Sequence, residues 1–268
     1  MKRLAIVGVD TFVGSSAMIY FDGTREVSGV QLTEQTAVSD LCRSCSDMIV
    51  CGDASLSSWD EAFGCFQRDR KLIPAYCRMA SEAGVRVVYI SSDAIFGGPW
   101  VFHDDHSPQI RDAPVARQLQ SIEQIVLKNS RNLVIRTNAI ADVSGSWLNQ
   151  LRQSFQAKIP QRLLANQFAT PLAASRFSLL LDHILQTDAA GVVHLAGAER
   201  LSPWNFATQL ARAESVSVQC VAPFIAQEPR EQSLRCSRAR QEFRLRMPTL
   251  SQTITELTMS PASSRRVA

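Results

Sequence analysis

Residues 102–108 read FHDDHSP, so two imidazoles, His103 and His106, flank two carboxylates, Asp104 and Asp105. An imidazole titrates near neutral pH and can serve as a general acid. An HxxH spacing beside carboxylates can also hold a metal. The competing reading is a solvated loop, and no metal site is assigned.

A second chemical signal is GVDTFVG, residues 8–14, which follows an apolar run and opens an amphipathic stretch. That context suits a dinucleotide-binding turn, which wants glycine for the tight turn, for backbone approach to the pyrophosphate and for helix packing. Gly8 and Gly14 hold the outer places and Thr11 the middle one. A β-branched residue dislikes positive φ and puts a Cβ where phosphate oxygens approach. Thr11 is therefore expected to weaken dinucleotide binding. The end of the second apolar run, SGVQLTEQ, offers Gln31 where an acid would bond the ribose of NAD, with Arg25 at its start.

The segment QEPREQSLRCSRARQEFRLR carries Arg230, Arg235, Arg238, Arg240, Arg244 and Arg246. Guanidinium groups bind phosphates through paired hydrogen bonds, and a solvated helix face is the alternative. Cys42 and Cys45 form a lone CxxC without a second pair at zinc-ribbon distance, which favours a surface turn over a metal or redox site. Seven cysteines without regular spacing point to a reducing compartment.

These residues need elements to position them. Apolar runs RLAIVG, REVSGV, DMIVCG, VRVVYIS and NLVIRT read as strands. Helical periodicity falls between them, in TFVGSSAMIYF, DRKLIPAYCRMASEAG and ARQLQSIEQIVLKN. Such alternation indicates parallel βαβ units. Further on come the helices GSWLNQLRQSFQAK, SRFSLLLDHILQ and SPWNFATQLARA and the strands GVVHLAG and VSVQCVAPF. The expected fold is α/β, a Rossmann-type doubly wound parallel sheet with a small C-terminal α/β substrate-type lobe. Residues 1–258 are expected to form one domain, with about 1–160 as the dinucleotide-binding core, about 161–258 contributing the lobe, and 259–268 a disordered tail.

A net charge of +3 gives no argument for nucleic acid. No run approaches the ~18 apolar residues of a membrane span. The N-terminus has a basic start and apolar residues, but Asp10 interrupts them, and strand, turn and helix is the better reading. A cytoplasmic location is expected.

Several motifs, in this order, carry a resemblance: CGDASLSSWDEA, YISSDAIFGG, VIRTNAIAD, NQFATP and VHLAGAERLSPWNFA. Over roughly residues 3–258 the chain resembles the extended short-chain dehydrogenases/reductases, and among them the dTDP-4-dehydrorhamnose reductase family. The resemblance implies hydride transfer from a nicotinamide to a sugar ketone. In that family a Tyr donates the proton, a Lys four residues on lowers its pKa, and a Ser/Thr bonds the ketone oxygen. Ser92 matches the Ser/Thr, and Asp93 the neighbouring acid, for which an Asx turn is the rival reading. Counting back from Glu123, the family's Glu, puts Val115 at the Tyr and Leu119 at the Lys. Tyr20, Tyr76 and Tyr89 are the only tyrosines, and none is followed four residues later by Lys. An active enzyme would then need another acid, and His106 or His103 is the candidate.

The resemblance further implies cofactor contacts from Gly8, Thr11, Phe12, Val13, Gly14, Gly52, Arg136 and Thr137. It implies substrate contacts from Asp93, Asn166, Gln167, Trp204 and Arg230, with Glu231 replacing the family's Pro after that Arg. The leading expectation is a non-catalytic or regulatory relative that binds a nucleotide or nucleotide sugar. The regulatory subunit of methionine adenosyltransferase is such a case. Its cofactor would be NADP or NAD, held weakly or not at all, and its protein partner an enzyme or a second copy. The alternatives are an active NAD(P)-dependent reductase or epimerase with a non-tyrosine acid, and an interaction module with an empty cleft.

Overall fold

Leu4–Val7 (β1) and Asp47–Val50 (β3) are buried along their whole length, as strands covered by helices on both faces must be. The computed structural model describes residues 3–61, 63–108 and 111–259. With Val27–Val30 (β2), Arg86–Ser92 (β4), Leu133–Thr137 (β5) and Gly191–His194 (β10), these strands form one parallel sheet. Its order is β2-β1-β3-β4-β5-β10. The chain leaves β1 toward one edge and returns to its other side at β3. The topological switch point, where ligands bind in such sheets, lies between the C-terminal ends of β1 and β3.

Helices Phe12–Asp22 (α1) and Ala174–Leu185 (α6) pack together. Gln35–Cys42 (α2), Gln67–Glu82 (α3) and Pro114–Val126 (α4) form a second row, α3 touching both neighbours. The expected strands and helices of the sheet are all present, and α2 is an addition to them. Cys42 closes α2 and is buried. Burial pushes the Cys45 thiol up to about 12, so neither residue of the CxxC presents a ready thiolate.

The remaining elements are Ala139–Ile140 (β6), Trp147–Ala157 (α5), Gln161–Leu164 (β7), Gln167–Phe168 (β8), Leu172–Ala173 (β9), Pro203–Ala213 (α7), Val221–Phe224 (β11), Arg230–Glu231 (β12), Ser237–Gln241 (α8) and Leu250–Met259 (α9). They build the lobe, apart from α8, which packs on β10 of the central sheet. Three short parallel pairs, β7 with β11, β8 with β12 and β6 with β9, tie it together. A second apolar cluster joins Leu148, Leu151 and Phe155 of α5 to Phe206 and Leu210 of α7 and Leu257 of α9. The lobe thus draws on α5, before residue 160, while α6 and β10, after it, complete the central layer. Of the stretch VSVQCVAPF only Val221–Phe224 is strand, and Val218–Cys220 is a 3-10 turn. Met259 ends α9, and residues 260–268 of the expected tail lie outside the described residues.

Candidate functional site

The switch-point turn is built around two positions where only glycine fits. Gly8 has φ +94°, and a Cβ there would collide with the Cys51 carbonyl. A Cβ on Gly14 would collide with the carbonyl of Gly8. Thr11 corrects the expectation of strain. Its φ is −90°, an extended value, so the turn asks no left-handed residue there. It is the N-cap of α1: Oγ1 accepts from Gly14 N–H at 3.1 Å and donates to the Gly8 carbonyl at 2.8 Å. Of the helix's first amides, Gly14 is therefore taken. Phe12 and Val13, in the first turn, have no acceptor within their own helix, which leaves their amides for an anion at the helix start.

On the other side of the crevice stands the turn after β3. Asp69 of α3 is fully buried, and its carboxylate accepts from the amides of Asp53 (2.7 Å) and Ala54 (3.1 Å) and from the Tyr89 hydroxyl (2.6 Å). A side chain at Gly52 would strike that carboxylate. Burial raises the pKa of Asp69, and its hydrogen bonds oppose the rise. Arg68 spans the crevice mouth. It reaches Asp53 through Nε at 2.7 Å and Asp10, inside the glycine turn, through Nη1 at 3.0 Å.

At the ends of β4 and β5 a polar network is closed on itself. Ser92 Oγ donates to Asp93 at 3.1 Å and accepts the Ala94 amide, capping the 3-10 turn Asp93–Ile95. Asn138 Nδ2 donates to Asp93 (2.9 Å) and to Ser58 Oγ (3.0 Å), and Ser57 Oγ donates to Asn138 at 2.6 Å. Ser92, Asp93 and Asn138 are all 0% exposed. Asp60 accepts from the amides of Ser57 and Trp147, fixing this loop to the start of α5, where Trp59 packs on Trp147.

Burial lifts the Asp93 carboxyl to about 7, against ~3.9 for a free Asp. The folded state therefore binds a proton that the unfolded chain releases, and stability from this group falls as pH rises from about 4 to about 7. Asp93→Asn is expected to stabilise the protein more at pH 8 than at pH 5, read by urea unfolding at both values. An identical change at both would contradict the shift.

Along α4, Val115 and Leu119 are apolar and packed toward the core. Leu119 is 0% exposed, and half-buried Val115 packs against the core, close enough to the loop before α3 that a side chain at Gly64 would reach it. Glu123, on the same face, holds Arg136 through contacts at 2.7 and 3.1 Å and accepts from Ser91 at 2.6 Å. Arg136 is thus committed to a buried ion pair, and Thr137 beside it is buried, its hydroxyl unpartnered among the described residues.

FHDDHSP is a clasp for the C-terminal segment. His103 is 1% exposed, stacked on Phe96 at 4.2 Å, and donates through Nε2 to the Glu231 carbonyl. Burial lowers its pKa. Asp104 accepts from the Ser237 hydroxyl, and Asp105 from the amides of His194 and Arg238. His106 is exposed. No hydrogen bond among the described residues joins either histidine to Ser92. Asn166 braces the Ala226 backbone from both ends of its amide, Gln167 pairs with Arg230 in β8–β12, and Trp204 packs in the lobe cluster. Arg230 leaves a buried Nε without a partner among the described residues, and burial together with nearby Arg111 lowers its pKa. Glu231 binds Arg200 at 2.6 Å.

The structure therefore brings Gly8, Thr11, Phe12, Val13, Gly14 and Gly52 to one crevice, and Ser92 and Asp93 to one network. It commits His103, Arg136 and Asn166 elsewhere, to a backbone hydrogen bond, a buried ion pair and a backbone brace. The Asp10–Arg68–Asp53 bridge and the Asn138 network were not foreseen. Only the rule that Thr favours N-caps could have indicated the role of Thr11.

A doubly wound sheet with a glycine turn at its switch point and a C-terminal lobe is the architecture of the extended short-chain dehydrogenases/reductases. The chain belongs to the RmlD substrate binding domain family, whose model matches residues 14–261. A dTDP-4-dehydrorhamnose reductase from Bacillus anthracis, solved with NADP, is similar at TM-score 0.79 and 15% identity, covering 94% of this chain and 96% of that one. The corresponding reductase from Clostridium acetobutylicum gives 0.79 at 16% identity, covering 96% and 100%. A dTDP-glucose 4,6-dehydratase from Bacillus anthracis, solved with NAD, gives 0.81 at 11% identity, covering 99% and 97%. No curated protein matches the chain in sequence.

Proposed function

We propose that this chain is a non-catalytic member of its family that keeps a nucleotide-binding crevice and acts as a nucleotide- or nucleotide-sugar-responsive partner of another protein. The observation that carries this reading is the α4 face. Val115 and Leu119 stand where the proton donor and its lysine belong, and Leu119 is sealed in the core. Reduction of a ketone needs a donor within hydrogen-bond reach of the developing alkoxide. Ser92, which would polarise the carbonyl, spends its hydroxyl on Asp93 and Ala94 instead. The crevice itself fits a dinucleotide in part: two first-turn amides of α1 have no acceptor in the helix, and the third is capped by Thr11. A bound nicotinamide cofactor would supply hydride chemistry, and the residues here would hold its phosphates.

Binding is tested by thermal shift with NAD, NADP and dTDP-sugars, since a ligand at 100 times its Kd adds about 2.7 kcal/mol. No shift with any of them would remove the nucleotide-responsive part of the reading. Thr11→Gly should tighten dinucleotide binding, because it frees the Gly14 amide while costing only a few tenths of a kcal/mol as a cap. Isothermal titration showing equal affinities for the two proteins would count against that role.

One observation favours a second reading. Burial lifts the Asp93 carboxyl beside Ser92 to about 7, so an active reductase or epimerase could take its proton from Asp93, provided that substrate opens the network of Ser92 and Asn138 that closes over it. Turnover abolished by Asp93→Asn is the result that reading requires.

A further inference from the structure

We infer that the switch-point crevice selects an adenine dinucleotide with a free ribose 2′-hydroxyl over one bearing a 2′-phosphate, and that Asp10 sets this preference. The inference rests on the retained nucleotide binding proposed above.

In doubly wound folds the 2′-hydroxyl is bonded by an acid at the end of the second strand. Here that strand ends at Val30 and is followed by Gln31, so the strand offers no carboxylate. The structure supplies one from another element. Asp10, in the glycine turn, accepts the backbone amide of Leu32 through Oδ1 at 2.8 Å, which places its carboxylate at the end of β2. The Leu32 carbonyl in turn accepts from Tyr76, so the landing point is fixed on both sides.

Among the described residues the second oxygen of Asp10 meets only Arg68, through Nη1 at 3.0 Å, and the Asp10 side chain is 29% exposed. Arg68 is held more firmly on its other side, where Nε and Nη2 reach Asp53 at 2.7 and 2.6 Å and the carboxylate is 10% exposed. A ribose hydroxyl can therefore donate to Asp10 by displacing one outer contact, leaving the Arg68–Asp53 pair whole. A 2′-phosphate meets a different field. Two carboxylates and one guanidinium sum to a net −1, and the guanidinium's fork is already occupied. Bringing a further anion there is repulsive, and the crevice lacks a second arginine to offset it among the contacts of this group.

The test is isothermal titration of the full chain with NAD and with NADP, repeated on Asp10→Asn. Asparagine keeps an oxygen for the Leu32 amide and removes the charge. Wild type is expected to bind NAD at least tenfold more tightly than NADP, and Asp10→Asn to bring the two within about threefold. Asp53→Asn leaves the Leu32 tether untouched and frees Arg68, so it should shift preference toward NADP in the same direction should Asp10→Asn fail to fold. NADP bound more tightly than NAD by wild type, or a ratio unmoved in a folded variant, overturns the inference alone. Binding of neither nucleotide by wild type or Thr11→Gly overturns the nucleotide-binding reading, and this one with it.

Discussion

Glu123→Ala is expected to cost about 3–5 kcal/mol of folding stability, the effect of stranding one member of a buried ion pair. The Arg136 and Glu123 side chains are 8% and 3% exposed. With the carboxylate gone, Arg136 keeps only the face of Phe96, 5.2 Å away, and Ser91 loses its acceptor. Replacing both partners at once, Glu123→Leu with Arg136→Met, should recover much of the loss, because the larger part of the penalty is an unpaired charge and not a missing attraction. Urea unfolding of the two variants checks this. A loss below ~1 kcal/mol for Glu123→Ala would mean that Arg136 finds water or another partner, and that α4 is less firmly seated on β5 than described.

The second large effect concerns the missing pair. Val115→Tyr with Leu119→Lys should restore no turnover, and Leu119→Lys alone should destabilise by several kcal/mol, as an unpaired buried charge does. Leu119 is 0% exposed, and the acid one helical turn along its face, Glu123, is already saturated by Arg136 and Ser91. The new ammonium would have nothing to neutralise it. A tyrosine at 115 would meet the loop at Gly64, and the closed network of Ser92, Asp93 and Asn138 would still leave no free hydroxyl for a carbonyl. Thermal melts of the single variants and nicotinamide oxidation by the double one measure both parts. A stable double variant that turns over a keto sugar would show that only two side chains separate this chain from an enzyme.

Much of the fold was legible because its strands are parallel and buried on both sides, so DMIV and VRVVYIS stand out as apolar runs between helical patterns. Helix α2 was harder, since QTAVSDLC is only eight residues long and buries only Val38 and Cys42. The site was legible in its local parts alone. Counting from Glu123 points to Val115 and Leu119, but the burial of Leu119 and the saturation of Glu123 are tertiary facts. FHDDHSP showed its chemistry as composition, whereas its work is decided by Ser237, 133 residues beyond Asp104. Arg68 lies 58 residues from Asp10, and Asn138 lies 45 from Asp93, so neither contact leaves a trace at short range. Thr11 stands where the fingerprint asks for glycine, and the pattern alone makes it an obstruction. Its φ shows instead a threonine used as threonine usually is at a helix start.

The central claim, that the family's reaction has been lost while its architecture remains, meets its most direct test in a single assay. Oxidation of NADPH and of NADH is followed with dTDP-4-dehydrorhamnose at high concentrations of the purified full chain. The account predicts no substrate-dependent consumption of either cofactor, for wild type and for Val115→Tyr with Leu119→Lys alike. Substrate-dependent oxidation by wild type clearly above background, diminished by Asp93→Asn, would contradict it and establish an enzyme whose acid is a buried aspartate.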